Sequence, residues 1–377
     1  MKTPWELLKE SKTKIKTTWR IAFVSALVLG LWIHLPVMLS DIPNHDGLSS
    51  MYFDQNMITS GRWFLTVACG FSSYFTIPWV IGLIGLIWLA LTAAVLTEVL
   101  ELTDPVTITV VSGLLVSFPA LASTFAYVFT MDGYMLALFL AVLAVLFTAK
   151  YPRGYLAGAV CLAFSMGIYQ AYLPFTILLC VYKILLCFME EKGWKEKAKY
   201  VCHYLGMGIA GGVLYYVILQ ILLKLQGKVL DTYQGINSME QMGSGMGILT
   251  TLKGMYVDFL AFTVHGNVLV NNIFSLAACI ILVATVVFLV IRSMIWRKWW
   301  KNPAFFVIMI LLGISMPLLT NVILLISPNL TYHLLMRYQW VLYLILMTAF
   351  ADRYTAEESR TDVVLQWAAL CAAVVLV

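Results

Sequence analysis

Apolar residues follow one another in long blocks along this chain, and short polar segments separate the blocks. Eleven blocks can be distinguished, each about 15 to 25 residues long. They lie at about residues 20–39, 77–100, 105–126, 134–149, 155–172, 174–189, 200–224, 267–291, 303–326, 336–351 and 363–377. A helix needs about 20 apolar residues to cross a bilayer. The pattern therefore predicts an all-α polytopic bundle of about 10–11 transmembrane helices.

The composition supports a membrane protein and excludes several other classes. Hydrophobic residues make up 62% of the 377 positions and charged residues only 11%, whereas a soluble domain is about half apolar and about a quarter charged. A soluble enzyme, a disordered chain and a nucleic-acid binder are excluded, and membrane lipid is the expected surrounding. We treat 1–377 as one transmembrane domain. The last block ends at Val377 after about 15 residues, so we expect the native chain to continue.

The positions of Lys and Arg predict the orientation of the bundle. If residues 1–19 form an amphipathic start on the cytoplasmic side, 19 of the 24 Lys and Arg residues lie in cytoplasmic segments. Cytoplasmic loops carry such an excess of positive charge. We therefore expect a multi-pass protein of the bacterial inner or plasma membrane with a cytoplasmic N-terminus.

The lengths of the connecting segments locate the expected chemistry. The cytoplasmic segments are too short for a nucleotide-binding domain, and the chain has no GxxxxGK[ST] motif. Two outer segments, 40–76 and 225–266, are long, and loops of that length are usually functional. A site is therefore expected on the periplasmic or extracellular face.

Charged residues are scarce, and those in the outer segments form the candidate site. No Asp, Glu, Lys or Arg lies near the middle of a predicted span, which weakens the prediction of an ion-coupled transporter. The outer charged and histidine residues are Asp41, Asp46, Asp54, Asp132, Asp231, Glu240, Asp258, Arg62, Lys224, Lys228, Lys253, Arg337, His45, His265 and His333.

Several of these residues also have a purely structural interpretation. Asp46 can cap a helix, and Asp132 can be a turn residue before Gly133. Asp54 and Arg62 would share one face, as a surface ion pair, if a surface helix continues through residue 62. Arg337 at the outer end of a span can extend to the interface, or it can bind a lipid phosphate.

A second surface helix is expected after a Gly-rich stretch at 242–247. Leu249, Leu252, Tyr256, Phe259 and Leu260 would form its apolar face, with Lys253 and Asp258 off that face.

Four short motifs in the first half of the chain resemble one known family. They are His45-Asp46-Gly47-Leu48, Gly61-Arg62-Trp63, Phe129-Thr130-Met131-Asp132-Gly133-Tyr134 and Gly167-Ile168-Tyr169-Gln170-Ala171-Tyr172-Leu173. Their order and shared outer location are similar to those of the type II serotype-converting glucosyltransferases, which are GT-C integral membrane glycosyltransferases. The motifs cover about residues 40–175. Beyond them, the apolar pattern and a Gly-rich outer loop agree.

The resemblance implies transfer of glucose from an undecaprenyl-phosphate carrier to a surface polysaccharide. It implies Asp46 as the general base, with Asp132 as second acid, and cations for the phosphate that leaves. The residues expected at the donor phosphate are Arg337, Arg62, Lys253 and His265. The residues expected at the sugar or acceptor are His45, Asp54, Trp63, Tyr169 and Gln170. No metal or other cofactor is expected to be required, although two facing acids leave a divalent ion possible.

Three other functions compete with this prediction. A lipid-linked saccharide flippase would need a polar path through the bundle, for which only His34, Gln220 and Asn321 are available. A polysaccharide polymerase or ligase usually has an Arg-rich outer loop, but 225–266 contains no Arg. A membrane subunit without chemistry would not need the outer acids. The seven cysteines are expected to be packing residues, because no CxxC spacing occurs.

Overall fold

The computed structural model describes most of the chain, with short gaps. The described residues are 3–6, 14–40, 55–70, 77–190, 193–231, 248–265, 268–298, 303–326, 331–355 and 359–377. All regular structure within these ranges is helical. The predicted all-α class is therefore confirmed.

The helices follow the predicted apolar blocks. The longer ones are α1 Thr17–Leu39, α2 Pro78–Leu100, α3 Pro105–Ser117, α4 Pro119–Phe125, α5 Met131–Lys150, α6 Gly154–Ile168, α7 Leu173–Met189, α8 Trp194–Gln226, α9 Ile248–Leu260, α10 Ile273–Trp296, α11 Pro303–Thr320, α12 Val341–Tyr354 and α13 Arg360–Leu376. Each of the eleven blocks contains a helix, and α9 lies in the long outer segment. A 3-10 segment, Leu334–Trp340, leads into α12.

Seven helical segments of the described chain are long and apolar enough to cross a membrane, which is consistent with a polytopic bundle. They are Thr17–Leu39, Pro78–Leu100, Val128–Lys150, Gln170–Met189, Trp194–Gln226, Ile273–Trp296 and Leu334–Tyr354. The pair α3 and α4 would add an eighth, bent by 49°. The bend follows from Pro119, because a residue before proline avoids the helical region, and Phe118 is extended. α6 and α11 are also apolar, but their apolar segments are shorter.

α2, α5, α7 and α12 lie at the centre of the bundle, where the segment that contains α12 is 72% buried, and α8 and α10 lie at its periphery. Within the spanning windows, 61% of α2 and 67% of the segment that contains α5 are buried, against 17% of α8 and 28% of α10. The exposed side chains of α8 and α10 are largely aliphatic and aromatic. The periphery therefore offers an apolar surface that suits lipid.

Ion pairs join the helices at one end of the bundle, which we call the N-terminal face because α1 begins there. Glu98 at the end of α2 accepts hydrogen bonds from Lys16 at 2.7 Å and from Lys150 at 2.6 Å. Glu101 pairs with Lys183 of α7 at 2.6 Å and with Arg353 of α12 at 2.7 Å. The predicted alternation of helix direction agrees with this shared end. The other end, where α2, α5 and α7 begin, is called the loop face.

Two surface helices are expected on the loop face, and one of them, α9, forms as expected. Its buried residue is Met255. Residues 55–62 do not form one helix, so the condition for a shared helical face of Asp54 and Arg62 is not met. Gln55 and Gly61 have positive φ angles of 51° and 76°, and only a three-residue 3-10 turn, Ile58–Ser60, lies between them.

Candidate functional site

The candidate site lies on the loop face, and the first part of it is the tight turn that precedes Arg62. Gly61 has a left-handed conformation that glycine adopts at no steric cost. Its amide donates to Ile58 O at 2.9 Å, and the Arg62 amide donates to Met57 O at 3.1 Å. The main chain is thereby closed into a tight turn, and the Arg62 side chain leaves it towards α5.

Two stacked tyrosines receive the Arg62 side chain. Nη1 of Arg62 donates to the Tyr134 hydroxyl at 3.2 Å, and the guanidinium lies over the Tyr169 ring at 5.0 Å. The two rings are parallel, with centroids 4.2 Å apart. Nε of Arg62 is buried and has no hydrogen-bond partner among the described residues. Its described neighbours are therefore tyrosines and not carboxylates.

The phenol of Tyr169 does not neutralise the arginine. Burial raises the pKa of Tyr169 well above its usual value, and the nearby Arg62 opposes this only in part. The ring therefore stays a neutral phenol at physiological pH. The positive charge of Arg62 remains available to an anion that enters the site.

Gln170 and Tyr215 hold the same turn from the other side. Nε2 of Gln170 donates to Ser60 O at 3.2 Å and to the Tyr215 hydroxyl at 3.0 Å, and that hydroxyl donates to Gly61 O at 3.1 Å. Gln170 is expected at the sugar or acceptor, and both hydrogens of its amide nitrogen are already used here. Sequence reasoning missed Tyr215, which lies within the apolar block of α8 and carries no distinguishing motif.

Trp63 packs between the turn and α6. Its ring contacts those of Phe64 and Phe164 at centroid distances of 5.8 and 5.2 Å. A Cβ atom on Gly167 would lie 2.6 Å from the Trp63 ring, so glycine is required for this contact. The indole Nε1 is buried and has no partner within the described chain.

Asp132 lies in the first turn of α5, two residues before Tyr134. Its side chain is 3% exposed, and Oδ1 accepts a hydrogen bond from the Gly133 amide at 2.9 Å. A carboxylate at a helix start is stabilised by the helix dipole. Interpretation as a turn residue is wrong, because Gly133 is helical and its role is close packing: a Cβ there would overlap Cys69 Sγ.

Arg337 lies in an aromatic cage and is bonded to a carboxylate. Nη1 and Nη2 donate to the two Asp258 oxygens, each at 2.7 Å. The guanidinium lies 3.9 Å from the Tyr332 ring centroid, 4.9 Å from that of Phe262 and 5.6 Å from that of Trp340. Asp258 therefore faces the bundle, contrary to the expectation that it lies away from the packed face of α9.

Asn321 and Gln339 support this cage. Asn321 Nδ2 donates to Met255 O at 2.9 Å and to Asp258 Oδ2 at 3.2 Å. Gln339 donates to the Tyr332 hydroxyl at 2.7 Å. Burial raises the pKa of Tyr332, and Arg337 opposes that shift, so this phenol is also neutral.

The structure describes only some of the remaining predicted site residues. Lys253 is exposed on α9. His265 ends the segment Ala261–His265, and its side chain lies outside the described part of the chain. His45, Asp46 and Asp54 also lie outside the described residues. Within the described ranges, no group of three or more His, Cys, Asp or Glu side chains could hold a metal ion.

The polar groups considered for a transport path do not line one path. His34 is buried, stacks on Phe125 at 4.0 Å and bonds Val116 O at 2.8 Å. Asn321 bonds the Asp258 group, and Gln220 is exposed on α8. His34 thus contacts α3 and α4, Asn321 contacts α9, and Gln220 lies on the peripheral helix α8.

One comparison with known proteins identifies the family. A family model described as Glucosyl transferase GtrII matches residues 35–351, a range that contains Arg62, Asp132 and Arg337. No curated protein and no solved structure matches the chain. The family expected from the four motifs is confirmed. This helix bundle, with its arginines and buried aspartate on the loop face, belongs to the GtrII glucosyl transferase family.

Proposed function

We propose that this glucosyltransferase takes glucose from undecaprenyl-phosphate glucose and transfers it to a cell-surface polysaccharide. The reaction would occur on the periplasmic or extracellular face of the bacterial inner or plasma membrane, with the N-terminus in the cytoplasm. The short connections on the N-terminal face support a donor that arrives as a lipid, since they leave no room for a nucleotide-binding domain.

The single observation that carries this proposal is the half-buried side chain of Arg62, whose Nε is buried and has no hydrogen-bond partner among the described residues. A buried cation is costly unless an anion compensates it. Among the described residues its partners are the Tyr134 hydroxyl and the Tyr169 ring, and neither is a carboxylate. A phosphate that joins glucose to a lipid would supply the missing charge, and departure of that phosphate would increase the negative charge that Arg62 stabilises.

Arg337 is the second proposed phosphate ligand, with Lys253 and His265 behind it. Its guanidinium would have to share or release Asp258 to bind a phosphate, because both Nη groups are bonded to that carboxylate. Arg62 has no such competitor among the described residues. We therefore place the donor phosphate at Arg62 first.

An apolar cavity below the Arg337 cage supports a lipid substrate. It has a volume of about 270 Å³ and lies between α7, α10, α11 and α12, where Leu178, Val286, Met316 and Tyr343 are among its lining residues. Tyr343 contacts Phe259, whose ring contacts Trp340 of the cage. A branched isoprenoid chain would find apolar side chains along this wall.

The proposed chemistry is a single displacement that inverts the anomeric centre. Asp46 accepts the proton of the acceptor hydroxyl while the oxygen attacks the anomeric carbon, and the carbon–oxygen bond to phosphate breaks with its electrons moving to that phosphate. Asp132 orients the acceptor or shares the base role. A carboxylate near the ring would also stabilise its developing positive charge. His45, Asp54, Trp63, Tyr169 and Gln170 stay proposed contacts to sugar or acceptor.

The proposal can be tested with purified protein in liposomes and radiolabelled undecaprenyl-phosphate glucose. Appearance of label in an added polysaccharide acceptor supports transfer, and an Asp46→Asn variant should show none. Movement of the labelled lipid between leaflets without transfer would indicate a flippase. Repeated addition of saccharide units would indicate a polymerase. Added chelator should leave transfer unchanged if no metal is required.

A further inference from the structure

The turn that carries Arg62 is held by two side chains outside it. We propose that these two, Tyr215 of α8 and Gln170, are positioning residues that set where the Arg62 guanidinium lies. The inference rests on the proposed function for the effect on catalysis, because Arg62 is taken as the donor-phosphate ligand. The structural part of the inference rests on contacts alone.

Two hydrogen bonds connect these side chains to the turn, and a third connects them to each other. The turn's own hydrogen bonds leave the carbonyls of Ser60 and Gly61 free, and the Gln170 amide and the Tyr215 hydroxyl donate to them at 3.2 and 3.1 Å. Gln170 also donates to the Tyr215 hydroxyl at 3.0 Å. This hydroxyl accepts one bond and donates another, so its orientation is determined.

The two side chains also fill the space beside the turn. A Cβ atom on Gly61 would lie 2.5 Å from the Tyr215 oxygen and 2.6 Å from the Gln170 nitrogen. Real Cβ atoms essentially never come that close to another heavy atom, so the hydroxyl and the amide contact the main chain of Gly61 itself. The left-handed φ and this contact both require glycine immediately before Arg62.

Tyr169 and Gln170 act on opposite sides of the same turn. Tyr169 is extended, with φ −155° and ψ 107°, and side chains of successive residues point in opposite directions along an extended chain. Tyr169 therefore contacts the guanidinium of Arg62, and Gln170 and Tyr215 hold the main chain just before Arg62.

This position matters because the phosphate gains charge as it leaves. A cation stabilises that charge only if it is already in place, and a misplacement of about 1 Å can cost about 100-fold in rate. Loss of one hydrogen bond that orients the turn should cost about fivefold to tenfold.

The first experiment uses Tyr215→Phe, which removes only the hydroxyl, and Tyr216→Phe as the matched control. Tyr216 is the next residue, 54% exposed, and makes no hydrogen bond within the described chain. Hydrogen–deuterium exchange of a peptide that covers residues 58–64 measures the turn directly. Tyr215→Phe should accelerate exchange of the Gly61 and Arg62 amides about tenfold, and Tyr216→Phe should not.

The second experiment is a double-mutant cycle with Arg62→Lys, a variant that keeps the charge. Tyr215→Phe should lower turnover about fivefold to tenfold when Arg62 is present, and hardly at all in the Arg62→Lys background. A merely destabilising change would act equally in both backgrounds.

The outcomes separate the two proposals. Unchanged amide exchange in Tyr215→Phe, or an equal loss of turnover in both backgrounds, overturns the positioning role. Faster exchange in Tyr215→Phe, together with a wild-type protein that transfers no glucose, supports the structural role and overturns the proposed function.

Discussion

The guanidinium of Arg337 and the carboxylate of Asp258 are joined by two parallel hydrogen bonds of 2.7 Å, which tie the segment before α12 to the outer helix α9. Such a bidentate pair is specific in geometry and stronger than a single contact. Three aromatic rings surround the cation. The arginine that sequence reasoning placed first at the donor phosphate is thus already bonded to a carboxylate.

Arg337→Gln should therefore destabilise the protein, because it leaves the Asp258 carboxylate without its cation. We expect a loss of about 2 kcal/mol, since both groups are largely buried and hydrogen-bonded. Asp258→Asn should cost a similar amount, and the double variant should recover part of the loss. Thermal unfolding in detergent measures this. A raised donor KM in Arg337→Gln with unchanged unfolding temperature would instead place the phosphate at Arg337.

Arg62→Gln should reduce transfer through the donor. We expect a loss of about 100-fold in kcat/KM for the lipid donor, because the variant removes the cation beside the leaving phosphate. The KM for the acceptor should stay unchanged, and Arg62→Lys should retain part of the activity. Initial rates at varied donor concentration measure this. An equal effect on donor and acceptor constants would remove Arg62 from the phosphate site.

Asp132→Asn should reduce turnover at least about 100-fold if the carboxylate shares the acid–base role. The amide keeps the acceptor for the Gly133 hydrogen bond, so the start of α5 should remain folded. Asp104→Asn is the matched control: Asp104 caps α3 by accepting from the Thr107 amide at 2.7 Å, and α3 begins at the N-terminal face. Because asparagine caps a helix about as well as aspartate, that control should leave both stability and turnover per folded molecule nearly unchanged. Similar turnover in both variants would argue against a chemical role for Asp132.

Much of the fold could be predicted from the sequence, and the reason is physical. Each apolar block has the length that a bilayer or a buried bundle demands, so the pattern locates helices directly. Individual contacts depend on which helices become neighbours. Asp258 and Arg337 are 79 positions apart, and Tyr215 and Gly61 are 154 apart. No local pattern distinguishes Tyr215 from an ordinary residue of an apolar helix.

The Asp132-Gly133-Tyr134 motif shows the same limit at short range. A glycine after an aspartate suggests a turn, yet Gly133 is helical because the segment that contains Cys69 packs directly against it. The glycine marks a position with a special requirement. That requirement is the contact with Cys69, which lies 64 positions earlier in the chain.

Gly133→Ala should therefore destabilise the protein by about 1–3 kcal/mol through overpacking against Cys69. Cys69→Ala should cost less by itself, and the double variant should be more stable than Gly133→Ala because the overlapping sulfur is gone. Thermal unfolding of the three variants tests this. An equal unfolding temperature for Gly133→Ala and wild type would show that the contact can relax.

Stability should fall on acidification through Glu101. Burial would raise the pKa of this carboxyl, but hydrogen bonds and charge from Lys183 and Arg353 outweigh burial and hold the pKa below its usual value. A depressed pKa contributes stability above the unfolded value, about 4.3, and that contribution is lost as pH falls through the folded value. Glu101→Gln should flatten this part of the pH–stability curve. The measurement is thermal unfolding in detergent between about pH 3 and 7, with wild type and Glu101→Gln compared at each pH.

The ion pairs of the N-terminal face join residues that are synthesised at very different times. Lys16 and Glu98 are 82 positions apart, and Glu101 and Arg353 are 252 apart. A growing chain therefore presents Lys16 before its partner has been synthesised. Once α2 arrives, Glu98 neutralises the same charge within the bundle. The N-terminal face is therefore complete only when α12, which carries Arg353, has joined the bundle, and loss of Glu98 would weaken the finished protein.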